Sequence, residues 1–352
     1  MTRDKETEIL KIFKEALSYP SYSPASIVGI LTYITVQLAH MFKYLLSLIC
    51  MASITNTSYS QEHIPTRYKD VVSTQVQVSK DISYADNIPA GSKEKYYRFN
   101  LYQPASDSMQ VTNRPLIIWM HGGGFKFGSK NTNEVEAWCN YFAQRGYVAA
   151  ALNYRLSKKN TLFNFKDLVS GAADAVADAR EAIVYFKAHA KEYGIDPNRI
   201  ILGGNSAGAI VALQTAYSTP SQLALLAKDT MIDTPAVTTG KIAAVINFWG
   251  ALFNIEWLNS ATVPIVSVHG RNDKTVPANQ KGESFFGSIP IHQKADELHI
   301  PNAVKIYDDY AHELDKHFNP LFSSEPARQR RLEAAQFAID FLYKELVLGS
   351  NH

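Results

Sequence analysis

From Val71 onward the chain alternates between short apolar runs and longer stretches with a helical repeat. Val71–Val78 and Lys95–Tyr102 are rich in β-branched and aromatic residues and predict two opening strands, paired like a hairpin. Pro115–Met120 is apolar throughout, as expected of a strand covered on both faces. Glu134–Gln144 has an amphipathic helical pattern, and Tyr147–Leu152 is a second apolar strand. Asp167–Tyr193 places Val176, Ala179, Ile183 and Phe186 on one stripe and stops at Gly194, predicting a single long helix. A strand at Arg199–Leu202, a helix at Ser206–Tyr217, and strands at Ala243–Phe248, Ile265–His269 and Ala303–Tyr307 follow. Ser324-Glu325-Pro326 caps a last helix running to about Leu348. Repeated strand–helix units predict an α/β fold: a mostly parallel central sheet with helices on both faces. Sites in such sheets lie at the carboxyl ends of the strands.

The first sixty residues follow another pattern. Met1–Pro20 is polar with a helical repeat at Ile9, Ile12, Phe13 and Leu17. Apolar stretches at Ile27–Ala39 and Tyr44–Ile54 follow, separated by His40, Met41 and Lys43. Read from Met41, Lys43 precedes the apolar run Tyr44–Met51, and Ser58-Tyr59-Ser60 stands before Gln61. That is the layout of a secretory signal peptide, with Met41 as the start of translation and the preceding forty residues outside the native protein. One alternative is an uncleaved anchor over Ile27–Ile54, in which Lys43 and His40 are costly near the middle, and another is a buried soluble helix. Residues 1–60 are thus expected to be a leader, and 61–352 one catalytic domain. The signal-peptide and anchor readings both place that domain outside the cytoplasm, and membrane contact is expected only under the anchor.

Composition narrows the class. With 46% hydrophobic and 19% charged residues over 352 positions, the chain can bury a large core without disulfides or a structural metal. A formal charge of +2 without a dense basic run argues against nucleic acid as a partner. Cys50 and Cys139 form no metal-ligand spacing, and Cys139 lies in an apolar stretch as a core residue.

The chemistry lies in two glycine-rich turns. Gly204-Asn205-Ser206-Ala207-Gly208 fits G-x-S-x-G between a predicted strand and a predicted helix, the context in which a tight turn lifts a serine hydroxyl above the sheet. His121-Gly122-Gly123-Gly124-Phe125 follows the first parallel strand and offers backbone N–H groups to a substrate oxyanion, with Gly123, Gly124 and Ala207 as the expected donors. His121, preceding Ser206 in the chain, is expected to pin that turn rather than carry protons. No G-K-[ST] accompanies the glycines, so phosphate is not indicated.

These two motifs, with Asn153-Tyr154-Arg155-Leu156 after the next strand, resemble the esterase and lipase branch of the α/β-hydrolase superfamily over roughly Gln61 to Leu348. The flavour is that of hormone-sensitive-lipase-like carboxylesterases and bacterial feruloyl- and acetyl-esterase-like hydrolases. Asn205 departs from the acidic residue common in the first of these. The resemblance implies the order nucleophile, acid, histidine, and hence Ser206 as nucleophile and Asp273, in Gly270-Arg271-Asn272-Asp273, as the acid. It places the base after the last strand, at His312, with His317 five residues on as the rival; His292 and His299 precede that strand.

Only Trp249–Val263 separates two successive strands where many relatives insert a lid, so no large lid is expected, while the insert Lys274–Pro301 can border the pocket. Phe125, Phe127, Trp249, Phe253 and Trp257 follow strand ends, and Phe125 and Trp249 are taken as substrate-binding. An open site on an exported protein points to small or accessible esters, acetyl or feruloyl esters of carbohydrates among them, with no metal or cofactor. A peptidase or amidase, and a non-catalytic binding protein on the same fold, are the rival classes.

Overall fold

The computed structural model describes residues 24–54, 65–85, 90–105, 112–227, 241–317 and 324–346, with residues 11, 14, 15 and 88 besides. They belong to two units, Met1–Ile64 and Pro65–His352. In the first, α1 (Pro24–Ile54) is one helix that runs on through His40 and Lys43. Its Thr32 and Thr35 hydroxyls donate to carbonyls four residues back, at 2.6 and 2.5 Å. Among the described residues no helix is long and apolar enough to cross a membrane. The expected cleavage position after Ser60, and most of the helical repeat within Met1–Pro20, lie outside the described residues.

The second unit is built on an eight-stranded sheet in the order β1-β2-β4-β3-β5-β6-β7-β8. The strands are β1 (Val76–Ser83), β2 (Arg98–Pro104), β3 (Arg114–Met120), β4 (Val148–Leu152), β5 (Ile195–Asn205), β6 (Ala244–Phe248), β7 (Ile265–Gly270) and β8 (Asn302–Tyr307). β1 and β2 join antiparallel, and every pairing from β4 to β8 is parallel. The helices are α2 (Asn133–Ala143), α3 (Phe165–Ala188), α4 (Ala190–Tyr193), α5 (Ala207–Tyr217), α6 (Pro220–Ala227), α7 (Ser288–Glu297) and α8 (Glu325–Glu345). This is the mostly parallel sheet that the pattern implied, in the α/β-hydrolase fold that the resemblance implied.

Two departures from expectation have local causes. β1 begins at Val76 rather than Val71, because the amides of Tyr68, Val72 and Ser73 bond instead to the carbonyls of Arg145 and Gln144 just after α2. The long predicted helix breaks at His189, whose Nδ1 donates to the Tyr185 carbonyl at 2.8 Å while the ring stacks on Tyr185. Asn164 caps the start of α3 by accepting from the Asp167 amide.

Strand alternation sorts the core. Leu116, Ile118 and Met120 of β3 face a layer with Val176, Ile183 and Phe186 of α3 and Ile210 of α5. Ile117 and Trp119 face the other way, toward Trp138, Cys139 and Phe142 of α2 and Ile339 and Leu342 of α8. Trp119 centres this second layer, with ring centroids 4.8 Å from Trp138, 5.5 Å from Phe142 and 5.2 Å from Phe248. Replacing it by alanine opens a large cavity under α2, at a cost of about 4 kcal/mol. A fall in the thermal midpoint of roughly 10 °C is therefore expected for Trp119→Ala, read by circular dichroism.

Candidate active site

Ser206 sits where β5 turns into α5. Its backbone is held at φ 53° and ψ −120°, a conformation that costs a non-glycine residue energy. The surroundings hold it there: the Ser206 amide donates to the Phe248 carbonyl at 2.9 Å, and the Ile210 amide closes the first helical turn on the Ser206 carbonyl at 3.0 Å. Glycine is required on either side. A Cβ on Gly204 would stand 2.4 Å from the Gly208 carbonyl carbon, and one on Gly208 would stand 2.0 Å from the Met120 carbonyl oxygen. The start of α5 is thereby pressed against the end of β3.

The triple glycine follows that end of β3 directly. Gly123 (φ 115°) and Gly124 (φ 61°) occupy left-handed backbone. A Cβ on Gly122 would lie 2.8 Å from Asn205 Nδ2 and 3.4 Å from Ser206 Cβ, so the turn lies against the serine. The Gly123 carbonyl accepts from the Lys126 and Phe127 amides, both at 3.0 Å, and the Gly124 carbonyl from the Thr161 hydroxyl at 2.5 Å. The N–H groups of Gly123 and Gly124 reach no backbone carbonyl among the described residues. His121 braces the turn, as expected. Its Nδ1 donates to the Gly122 carbonyl at 2.7 Å, its ring stacks 4.3 Å from Tyr154, and the Tyr154 hydroxyl donates to the His121 carbonyl at 2.6 Å. Burial lowers the His121 pKa to about 4, so the ring is neutral. Arg155, next in the chain, is tied to buried Asp178 through its own amide at 2.7 Å and its Nε at 2.8 Å.

Asp273 stands just beyond β7. Its Oδ1 accepts from the amides of Thr275 (2.8 Å) and Val276 (2.9 Å). Its Oδ2 accepts from His312 Nδ1 at 2.6 Å, and His312 Nε2 lies 2.9 Å from Ser206 Oγ. Since the carboxylate only accepts, Nδ1 carries the proton and Nε2 presents its lone pair to the serine hydroxyl. Ser206, Asp273 and His312 are 7, 4 and 2% exposed. Burial pushes the Asp273 pKa up, but hydrogen bonds from His269 and His312 outweigh it and hold the group at about 2.

The His312 loop is packed against the end of β7, for a Cβ on Gly270 would lie 2.3 Å from the Ala311 carbonyl oxygen. Helix α8 holds the loop from the other side. Arg330 Nε donates to the Leu314 carbonyl at 2.8 Å, and Arg331 donates to the Glu313 carbonyl at 3.1 Å while pairing with Glu134 at 2.9 Å. Burial and Glu134 raise the Glu313 pKa to about 7, against the attraction of His312 and Arg331. His317, the rival base, is exposed beyond this turn. His292 is bonded to Asn302 and His299 is exposed at the end of α7.

Phe125 and Trp249 correct the expectation that they line the pocket. Both have left-handed backbone at strand ends (φ 60° and 44°), and both side chains turn back into the core, fully buried. Trp249 packs on Phe248 and Trp138, and Phe125 near Tyr154. Phe253 and Trp257 are buried as well. The side chain beside the glycines is one that sequence reasoning missed: a Cβ on Gly124 would lie 2.3 Å from Leu162 Cδ2. Its signal was an apolar Leu162-Phe163 pair in an otherwise polar loop. Between β6 and β7 lie residues 249–264, with one 3₁₀ segment at Ile255–Leu258 and an isolated bridge from Leu252 to Phe286, so no large lid enters there. Among the described residues no group of three His, Cys, Asp or Glu side chains is placed to hold a metal ion.

Residues 99–253 match the BD-FAE family model. The probable carboxylic ester hydrolase LipM of Mycobacterium tuberculosis is 24% identical over 223 residues, which is 63% of this chain and 47% of LipM. Gut esterase 1 of Caenorhabditis elegans is 31% identical over 104 residues, 30% of this chain and 18% of the relative. The chain thus spans under half the length of these curated relatives. Among solved structures, Thermogutta terrifontis esterase 2 phosphorylated by paraoxon superposes with a TM-score of 0.53 and 25% identity, covering 76% of this chain and 94% of that one. The strand order, the two glycine turns and these matches together show the α/β-hydrolase fold, shared with proteins named as esterases and carboxylic ester hydrolases.

Proposed function

We propose that this protein is a serine carboxylic-ester hydrolase acting through an acyl-enzyme on small or accessible esters, acetyl and feruloyl esters of carbohydrates among them. One observation carries the reading: the continuous line from Ser206 Oγ through the His312 ring to Asp273, with contacts of 2.9 and 2.6 Å. Ser206 Oγ attacks the ester carbonyl carbon as its proton passes to His312 Nε2. The carbonyl oxygen gains the negative charge and is stabilised by the amides of Gly123, Gly124 and Ala207, the last at the positive end of α5. Collapse breaks the bond to the alcohol oxygen, which takes the proton from His312 and leaves. Water then enters, gives a proton to His312, and attacks the acyl carbon. Return of that proton to Ser206 Oγ releases the acid. Asp273, ionised throughout, holds the ring in the productive tautomer and offsets its transient charge.

The carboxylic ester hydrolases among the relatives support an ester substrate. The β6–β7 connection, too short for a large lid, supports an open site. Export of the catalytic domain is also proposed, on the signal-peptide layout of Lys43, Tyr44–Met51 and Ser58–Ser60.

Since the Thermogutta neighbour is phosphorylated by paraoxon, this reagent is expected to label Ser206 here and to fail on Ser206→Ala. The same variant should lose ester turnover by about 10⁴-fold or more. Labelling at another residue, or retained turnover, would overturn the reading.

Asp273→Asn should lower kcat by roughly 10⁴-fold with little change in KM, because the amide favours the wrong imidazole tautomer. The folded pKa of Asp273 lies below its ordinary value of 3.8, at about 2. Its contribution to stability, about 2 kcal/mol, is therefore complete above pH 4 and lost as the pH falls toward 2. The stability gap between wild type and Asp273→Asn, measured by urea unfolding, should narrow over that window.

Protein exported from a bacterial host should begin at Gln61 by mass spectrometry and release acetate from acetylated xylo-oligosaccharides as well as from p-nitrophenyl acetate. Activity on the chromogenic ester alone would remove carbohydrate esters from the reading.

A further inference from the structure

Beneath the Ser206–His312–Asp273 line lies a second polar chain that the mechanism above does not use. Asn247 on β6, Ser267 and His269 on β7, and Ser288 at the start of α7 are all fully buried. The partners fix the orientation at both ends of this chain. The Gly250 amide donates to Asn247 Oδ1 at 2.9 Å, which fixes the amide orientation and leaves Asn247 Nδ2 as the donor. That nitrogen donates to Ser267 Oγ at 2.9 Å and to Ser288 Oγ at 3.1 Å. At its other end, His269 Nε2 lies 2.7 Å from the Val276 carbonyl and 3.4 Å from Asp273 Oδ2. Both are acceptors, so Nε2 carries a proton. Ser288 Oγ, which accepts from Asn247, stands 2.8 Å from His269 Nδ1. The ring thus presents an N–H to the acid loop, and its other nitrogen meets Ser288.

We propose that His269 is a positioning residue for Asp273. The Asn247–Ser288–His269 chain fixes its tautomer, so that one N–H both closes the acid loop on the Val276 carbonyl and presents its dipole to the carboxylate oxygen that receives His312. This rests on the serine-hydrolase reading above. With the Ser288 hydroxyl turned to Nδ1, the donors align in one direction and polarise one another, so the chain strengthens the hold on the carboxylate beyond that of an isolated contact. Two backbone amides fix Oδ1; without His269, Oδ2 keeps only His312, and the carboxylate can rotate about the Oδ1 anchor. The titratable groups facing Asp273 are His269 from β7 and His312 from the loop after β8, and Glu313 adds a Coulombic attraction on His312. Ser288, which faces His269 from α7, does not titrate.

The test uses the full chain. His269→Phe keeps the ring volume and removes both nitrogens, and His269→Gln keeps an N–H donor on a side chain of similar reach. Paraoxon labelling of Ser206 and kcat for p-nitrophenyl acetate should fall about 10- to 100-fold in His269→Phe, the scale of a catalytic group displaced by about an ångström. KM should stay within about twofold. A less well placed carboxylate stabilises the His312 imidazolium less, so the acid limb of the pH–rate profile should move to lower pH. His269→Gln should recover most of the rate. Ser288→Ala, which only frees the tautomer, should shift rate and limb the same way by less, and it carries the test if the phenylalanine variant does not fold. Unchanged kcat and acid limb in His269→Phe, or in Ser288→Ala where it stands in, would overturn the proposal. So would a glutamine variant as slow as the phenylalanine one at equal thermal stability. The downfield proton resonance of His312 Nδ1–H reads the same contact without turnover, and should move upfield in either non-polar variant. If paraoxon fails to label the wild type, the hydrolase reading falls, and that resonance still decides whether His269 holds the carboxylate.

Discussion

A carboxylate removed from water is costly unless every lone pair is met, and the carboxyl end of this sheet is organised around one such group. Asp273 is ionised and nearly out of contact with solvent, and it survives there because donors arrive from four directions. Two are amides of its own loop, one is the His312 ring, and one is the edge of His269. To supply them the chain must fold the segment after β7 into a tight turn, bring the loop after β8 across Gly270, and bury a polar chain between β6, β7 and α7. The parallel sheet sets these segments side by side, and the carboxylate decides how they close.

The serine side stores strain of a different kind. Ser206 is held in left-handed backbone by bonds to β6 and to its own helix, and glycines at 204 and 208 let the turn pass β3 at backbone contact. The triple glycine is braced from outside by Tyr154, Thr161 and the neutral His121 ring. Neither turn buries much apolar surface of its own. Each is rigid because the layers beneath it are, and Trp119 packs on the opposite face of the sheet from the α5 layer, holding those strands flat against α2 and α8.

Much of this was legible in the sequence because glycine and short apolar runs carry geometric meaning of their own. The spacing of Gly204, Ser206 and Gly208 between a strand and a helix names a turn that few other sequences could make, and the order of the remaining groups came with the resemblance. The pocket lining was not legible. Phe125 and Trp249 stand where a wall residue is expected, but both have positive φ, which composition does not disclose, and both rings are buried in the core. His269 was hidden for a related reason. A histidine ending a strand looks like any other, and its value depends on Ser288 and Asn247, brought to it from a separate helix and strand. The start of β1 was misplaced because its amides had better acceptors at the end of α2, a tertiary preference invisible to a local window.

The clamp that α8 places on the His312 loop has a temporal side. Arg330 and Arg331 lie well over a hundred residues beyond Ser206, in the last helix described. A ribosome delivers the strained serine turn early and the parts that orient its imidazole late. A chain that has formed its sheet without α8 lacks the Arg330 and Arg331 bonds that hold the His312 loop.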